Sequence, residues 1–205
     1  MEKELRHEGD YFGEGSDIFK AKNGEHKIFQ LTWKAHKIFQ YDLELKGVER
    51  TFDMTQLIPK GWAMTRDSNN STLAYIDTGD EYIYKADSSK DFELVDKIKV
   101  TDKNGNGVKE INEIEFVNGK LWVNQWMTNF IMKVDPDTGK VEANIDFGIL
   151  MYRAQWFHYN ENGLGFGLND VMNGIAFDRD RGTFYVTGKN WKLVYEVEIV
   201  KEAKY

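Results

Sequence analysis

One short element recurs four times along this chain, as Phe39-Gln-Tyr-Asp42, Tyr84-Lys-Ala-Asp87, Met132-Lys-Val-Asp135 and Tyr195-Glu-Val-Glu198. The closing acids lie 45, 48 and 63 residues apart. A short apolar run precedes each copy, at residues 28–31, 73–76, 121–123 and 184–186, and an opening run precedes that, at 15–19, 62–65, 112–116 and 173–177. After the first three copies comes one run more, at 48–52, 92–100 and 141–147. A unit of four short strands in about 45–50 residues is the sequence signature of a propeller blade. The expected fold is therefore all-β: a β-propeller with about four blades, residues 1–205 forming a single domain. A β-sandwich would leave the matching residues of the repeats without a reason.

Local chemistry supports the strands. In the third unit Ile114 and Phe116 alternate into Asn118-Gly119, and Leu121 and Val123 alternate out of it. Asn-Gly supplies the two positive-φ residues of a tight hairpin turn. Two prolines, 18 glycines and 14% aromatic residues suit many strands joined by glycine turns. The long last interval contains residues 148–170, which read as an inserted loop; within it 149–160 carries a weak helical period.

A net charge of −7 without a long basic run argues against nucleic acid as a partner. There is no cysteine, which removes disulfides, thiol catalysis and thiolate metal sites. No apolar stretch approaches the roughly 20 residues of a membrane span, so no membrane is expected. The charged start, Met1 to Glu8, does not read as a signal peptide. Overlapping glycosylation sequons at Asn69 and Asn70 matter only if the natural protein enters a secretory pathway, which would place it outside the cell.

Equivalent positions on successive blades surround one axis. Counting back nine from each closing acid gives Trp33, Thr78, Trp126 and Lys189; the opening runs supply Glu14, Trp62, Asn112 and Asn173. A carboxylate, an ammonium, a carboxamide and three indoles are thereby expected at one mouth, with Phe12 on the strand face of Glu14. Apolar walls with a few convergent polar groups are the usual form of a small-ligand site. Trp122 and Trp191 are expected in the core. Asp102-Lys-Asn104-Gly-Asn106-Gly107 with Glu113 fits a calcium-loop pattern. Strands rather than helices flank it, however, so a polar hairpin loop is expected and no metal site. In an extended strand Glu113 should face away from Asn112.

Six motifs in order carry a resemblance: Tyr11-Phe-Gly-Glu-Gly15, Gln30-Leu-Thr-Trp33, Gly61-Trp62, Ile111-Asn-Glu-Ile-Glu115 with Trp122-Val-Asn-Gln-Trp126, Asn173-Gly-Ile-Ala-Phe-Asp178 and Val186-Thr-Gly-Lys-Asn-Trp191. From about Tyr11 to Val200 the chain resembles the plant and bacterial glutaminyl cyclases, or glutamine cyclotransferases. The resemblance implies a five-bladed propeller that converts N-terminal glutamine of peptides to pyroglutamate with loss of ammonia, using no zinc or other cofactor. It implies Glu14, Lys189 and Asn112 as catalytic residues and Trp33, Trp62, Trp126 and Phe12 as substrate walls. This sequence departs from the family in three places. A further blade expected upstream, with a Phe-Thr-Gln-Gly-Leu motif, is not in the 205 residues; Lys192 replaces a proline; and Asp77-Thr-Gly-Asp80 replaces a Ser-Asp-Gly-Thr turn. The alternative is a propeller that binds peptide termini or a protein partner without turnover.

Overall fold

The computed structural model describes residues 4–5 and 9–200, so most of the charged start lies outside it. Four antiparallel sheets follow the chain in order, each a meander of neighbouring strands. The first holds β1 (Gly13–Lys20), β2 (His26–Thr32), β3 (Lys37–Tyr41) and β4 (Val48–Asp53). The second holds β5 (Met64–Arg66), β6 (Leu73–Asp77), β7 (Tyr82–Asp87) and β8 (Glu93–Lys99). The third holds β9 (Ile111–Val117), β10 (Lys120–Gln125), β11 (Phe130–Val134) and β12 (Val141–Asp146). The fourth has three strands, β13 (Met172–Asp178), β14 (Thr183–Gly188) and β15 (Tyr195–Val197). Inner strands pack in sequence, β1 on β5, β5 on β9 and β9 on β13. The fold is a β-propeller with four blades described.

Both faces of a blade are apolar because each packs against a neighbour. In β6, Ala74 and Ile76 join Phe19, Phe29 and Phe92 between the first two blades. Tyr75, from the same strand, stacks on Phe116 at 5.4 Å in the next inter-blade core. A third core, around Ile131, Met172, Phe184 and Val186, joins the last two blades. Strand alternation thus splits one segment between two cores. Thr65 Oγ1 accepts the Phe116 amide at 3.1 Å, and Arg179 donates to the Phe116 carbonyl at 3.1 Å, which fixes the stagger of three blades.

Two expectations need correction. The opening strand of the second blade begins at Met64, not Trp62: the Trp62 amide instead donates to Asp77 at 3.2 Å, across the strand end. The insert is not a loop throughout, because Gly148–Asn162 forms helix α1. Gly163, at φ 68°, stops the helix, its amide donating to Tyr159 at 2.7 Å. Periodicity marked α1 weakly for a physical reason: its apolar residues lie all round. Leu150 and Ala154 are buried, while Ile149, Tyr152, Trp156 and Tyr159 face outward.

Candidate active site

Three inner strands carry a β-bulge at the same end. Register slips by one between Gly13 and Ser16 in β1, between Met172 and Ile175 in β13, and opposite Asn124 and Gln125, where Glu113 and Ile111 are the partners and Asn112 is extra. The bulged residues are Glu14-Gly15, Asn112 with Glu113, and Asn173-Gly174. Ile111 and Ile114, three apart, accordingly enter one core, and Met172 and Ile175 enter another. A bulge re-aims a side chain without ending the strand. Here it directs polar groups to the axis while apolar neighbours keep their faces. Gly15 is required at its bulge: a Cβ there would lie 2.5 Å from the Ala63 Cα, and its amide donates to the Trp62 carbonyl at 2.8 Å.

A second set of groups comes from the position just past each second strand. Trp33, Trp126 and Lys189 follow β2, β10 and β14 directly. Each donates its amide to the residue preceding its own inner strand or next to it: Trp33 to Phe12 at 3.0 Å, Trp126 to Glu110 at 2.7 Å and Lys189 to Val171 at 2.9 Å. One hydrogen bond, repeated round the ring, sets three side chains at one rim. The fourth equivalent, Thr78, is wholly buried instead.

These sets meet at a cavity of about 300 Å³ lined by Phe12, Glu14, Trp33, Trp62, Asn112, Trp126, Asn169 and Lys189. All seven site residues expected from sequence are therefore together. Larger hollows lie on the first blade, by Tyr11 and Tyr41, and along β11 and β12, but neither is lined by an indole, whereas this one sets a carboxylate, an ammonium and a carboxamide among three. Trp62 and Trp126 meet edge to face at 6.0 Å, and Phe12 and Trp33 at 5.8 Å. The Trp126 ring N–H is buried with no acceptor among the described residues. Asn173, bulged like the others, turns to Asn124 and donates to it at 3.2 Å. Trp122 packs on Phe184 at 4.7 Å and Trp191 donates to the Asp170 carbonyl at 3.0 Å, so both belong to the last inter-blade packing.

Three groups escaped the sequence reading. Asn169 comes from the insert, which has no counterpart in other blades and so no repeat to flag it. Glu113 shares the field of Glu14 and Lys189, against the expectation that it faces away from Asn112; the bulge at Asn112 breaks the alternation on which that expectation rested. In the Asp102 loop, Asp102 binds the amides of Asn104 and Asn106, each at 2.8 Å. Asp77 is 0% exposed, with neither carboxylate oxygen hydrogen-bonded among the described residues. An acid ending the apolar run Leu73-Ala-Tyr-Ile was the one available signal.

Burial raises the Glu14 pKa from its ordinary value, and the Lys189 charge opposes it. Burial and then the Glu14 charge push Glu113 up to about 7, Lys189 again opposing. Asp77 is raised well above its usual value by burial, then by Glu113 and Glu14. One residue turn further along the strands Glu115, also raised to about 7 by burial and by Asp17, faces Arg179 and Arg66.

Two results are expected. In Glu14→Gln a charge that holds the Glu113 proton is gone, so Glu113 should release it at lower pH than in the wild type. Carboxyl-carbon NMR titration reads this, and an unmoved Glu113 would separate the two groups. For Asp77 the folded pKa lies above the unfolded one. Its stabilising contribution is complete below about pH 3.9 and is lost as pH rises towards the folded pKa, by up to about 1.4 kcal/mol per pH unit. Asp77→Asn should flatten the decline of Tm as pH rises above the unfolded value of about 3.9. Parallel declines in both proteins would show that Asp77 does not keep its proton.

Comparison with known proteins adds to this geometry. Residues 1–199 match the family model described as glutamine cyclotransferase. The chain is 28% identical over 194 residues to a glutaminyl-peptide cyclotransferase of Arabidopsis thaliana, a match covering 92% of this chain and 53% of the relative. It thus spans about half the length of that curated relative. The crystal structure of Myxococcus xanthus glutaminyl cyclase superposes with a TM-score of 0.76 at 28% identity, over 93% of this chain and 73% of the bacterial one.

Proposed function

The chain belongs to the glutamine cyclotransferase family, and on that premise we propose that it converts N-terminal glutamine of peptides or proteins to pyroglutamate, releasing ammonia. The observation that carries the reading is a half-buried carboxylate, Glu14, opposite the Lys189 ammonium in an indole-walled pocket. Cyclisation is an intramolecular acyl transfer and needs one group that both takes and returns a proton. As the α-amine bonds to the side-chain carboxamide carbon, Glu14 accepts a proton from that nitrogen, and the carbonyl electrons move to oxygen. When the carbonyl re-forms, the carbon–nitrogen bond of the amide breaks, and Glu14 passes the proton to the departing nitrogen, which leaves as ammonia. A raised pKa suits a group that must do both near neutral pH.

Lys189 and Asn112 are proposed to donate hydrogen bonds to the oxygen while it carries the charge. Trp33, Trp62, Trp126 and Phe12 are proposed to wall the glutaminyl residue and exclude bulk water, which strengthens those charges. No proton or electron is left over, so the balance calls for no co-reactant. Ammonia release from a glutamine-initiated peptide tests the reading. A peptide that binds but yields no ammonia would point instead to a propeller that recognises peptide termini without turnover.

A further inference from the structure

Two lysines lie against the walls of the pocket without lining it. Lys34 Nζ sits 4.0 Å from the centre of the Trp33 ring, and Lys60 Nζ sits 4.1 Å from that of Trp62. Both indoles line the cavity. Lys34 belongs to the turn between β2 and β3, and Lys60 to the link between β4 and β5. A hydrogen bond from the Gly61 amide to the Trp33 carbonyl, at 3.2 Å, joins the two loops, so the ammonium groups flank one side of the mouth. Neither takes part in an ion pair among the described residues. An indole face holds an ammonium in place without neutralising it.

This cationic side contrasts with a chain of net charge −7. Three of the four carboxylates named near the pocket are buried in part or hydrogen-bonded. Glu14 lines the pocket and Glu113 lies near it, both in the field of Lys189. Asp170, next to Asn169, accepts from Asn190 at 2.7 Å and from the Gly167 amide at 2.6 Å. Glu110 is an exposed acid beside Trp126, whose amide its backbone carbonyl accepts. Lys34 and Lys60 thus place two positive charges together beside the first two blades' indoles.

We infer that Lys34 and Lys60 make the site selective for peptides with an acidic residue directly after the N-terminal glutamine. The inference rests on the cyclase reading for the placing of the first residue. With that side chain between the indoles and its amine at Glu14, the peptide must leave through the mouth, and its second residue crosses the rim. An Asp or Glu there gains charge-assisted hydrogen bonds from ammonium groups already held in position. A Lys or Arg there meets like charge.

The test compares three carboxamide-capped peptides, Gln-Glu-Ala-Ala, Gln-Ala-Ala-Ala and Gln-Lys-Ala-Ala, by ammonia release and, separately, by quenching of indole fluorescence on binding. Two partly exposed pairs should give a preference of roughly 3- to 10-fold in kcat/KM for the acidic over the neutral peptide at low salt. That preference should vanish at 1 M salt, where charges are screened beyond about 3 Å. In the double variant Lys34→Gln, Lys60→Gln the ratio should fall to about one, and in Lys34→Glu, Lys60→Glu it should invert. Equal handling of the peptides by the wild type, or a preference that survives the double variant, overturns the proposal. If no peptide releases ammonia, the cyclase reading fails, while the ratio of dissociation constants still decides the role of the lysines.

Discussion

Glu14→Gln is expected to lower kcat by about 10²–10⁴ while peptide binding stays close to that of the wild type. Gln keeps the length and the hydrogen-bonding capacity of the side chain but cannot accept the amine proton. Among the groups lining the cavity, Glu14 alone can both take and return one. Glu113 is near in field, yet it does not line the cavity, so it is not expected to substitute. Ammonia release under saturating peptide, with binding read by indole fluorescence, separates the two effects. Unchanged kcat would move the base to another residue and would direct attention to Glu113 first.

Trp126→Ala should act mainly on binding, lowering kcat/KM by roughly 30-fold, or about 2 kcal/mol, the loss typical of a large aromatic anchor. Three contacts set the expectation. Trp126 walls the cavity, braces Trp62 edge to face at 6.0 Å, and holds an unused ring N–H. Trp126→Phe keeps the bulk and loses the donor, so it should recover most of the binding. If Trp126→Ala lowers Tm but leaves the kinetics intact, the residue belongs to the packing of the third blade and not to the site.

The proposed roles of the lysines and of the pocket floor are separable in experiment because the two sets lie on different parts of the blades. Glu14 and Asn112 sit on bulged inner strands, whereas Lys34 and Lys60 sit on connections at the rim. Charge changes at the rim should alter which peptide is chosen. Changes at the floor should alter how fast any of them is converted.

What the sequence determined by itself was the succession of blades and the positions that face one another. Strand, turn and strand are written in local periodicity and in Asn-Gly or glycine turns, and these act over a few residues. The offset of nine from each closing acid held because the third strand and its turn have nearly constant length, so Trp33, Trp126 and Lys189 all fall just past a second strand. Tertiary structure decided what alternation alone misassigns. An extra residue in β9 cannot be seen without its partner β10, since a bulge exists only as a mismatch between two strands; here it is Asn112, and it breaks the alternation that set Glu113 opposite it. Helix α1 hid because its apolar residues serve both the core and an outer face. Asn169 reaches the cavity only through the path of that insert, which has no repeat to predict it. The raised pKa values of Asp77, Glu113 and Glu14 also belong to the assembly, because desolvation and charge proximity arise only when the blades close round the axis.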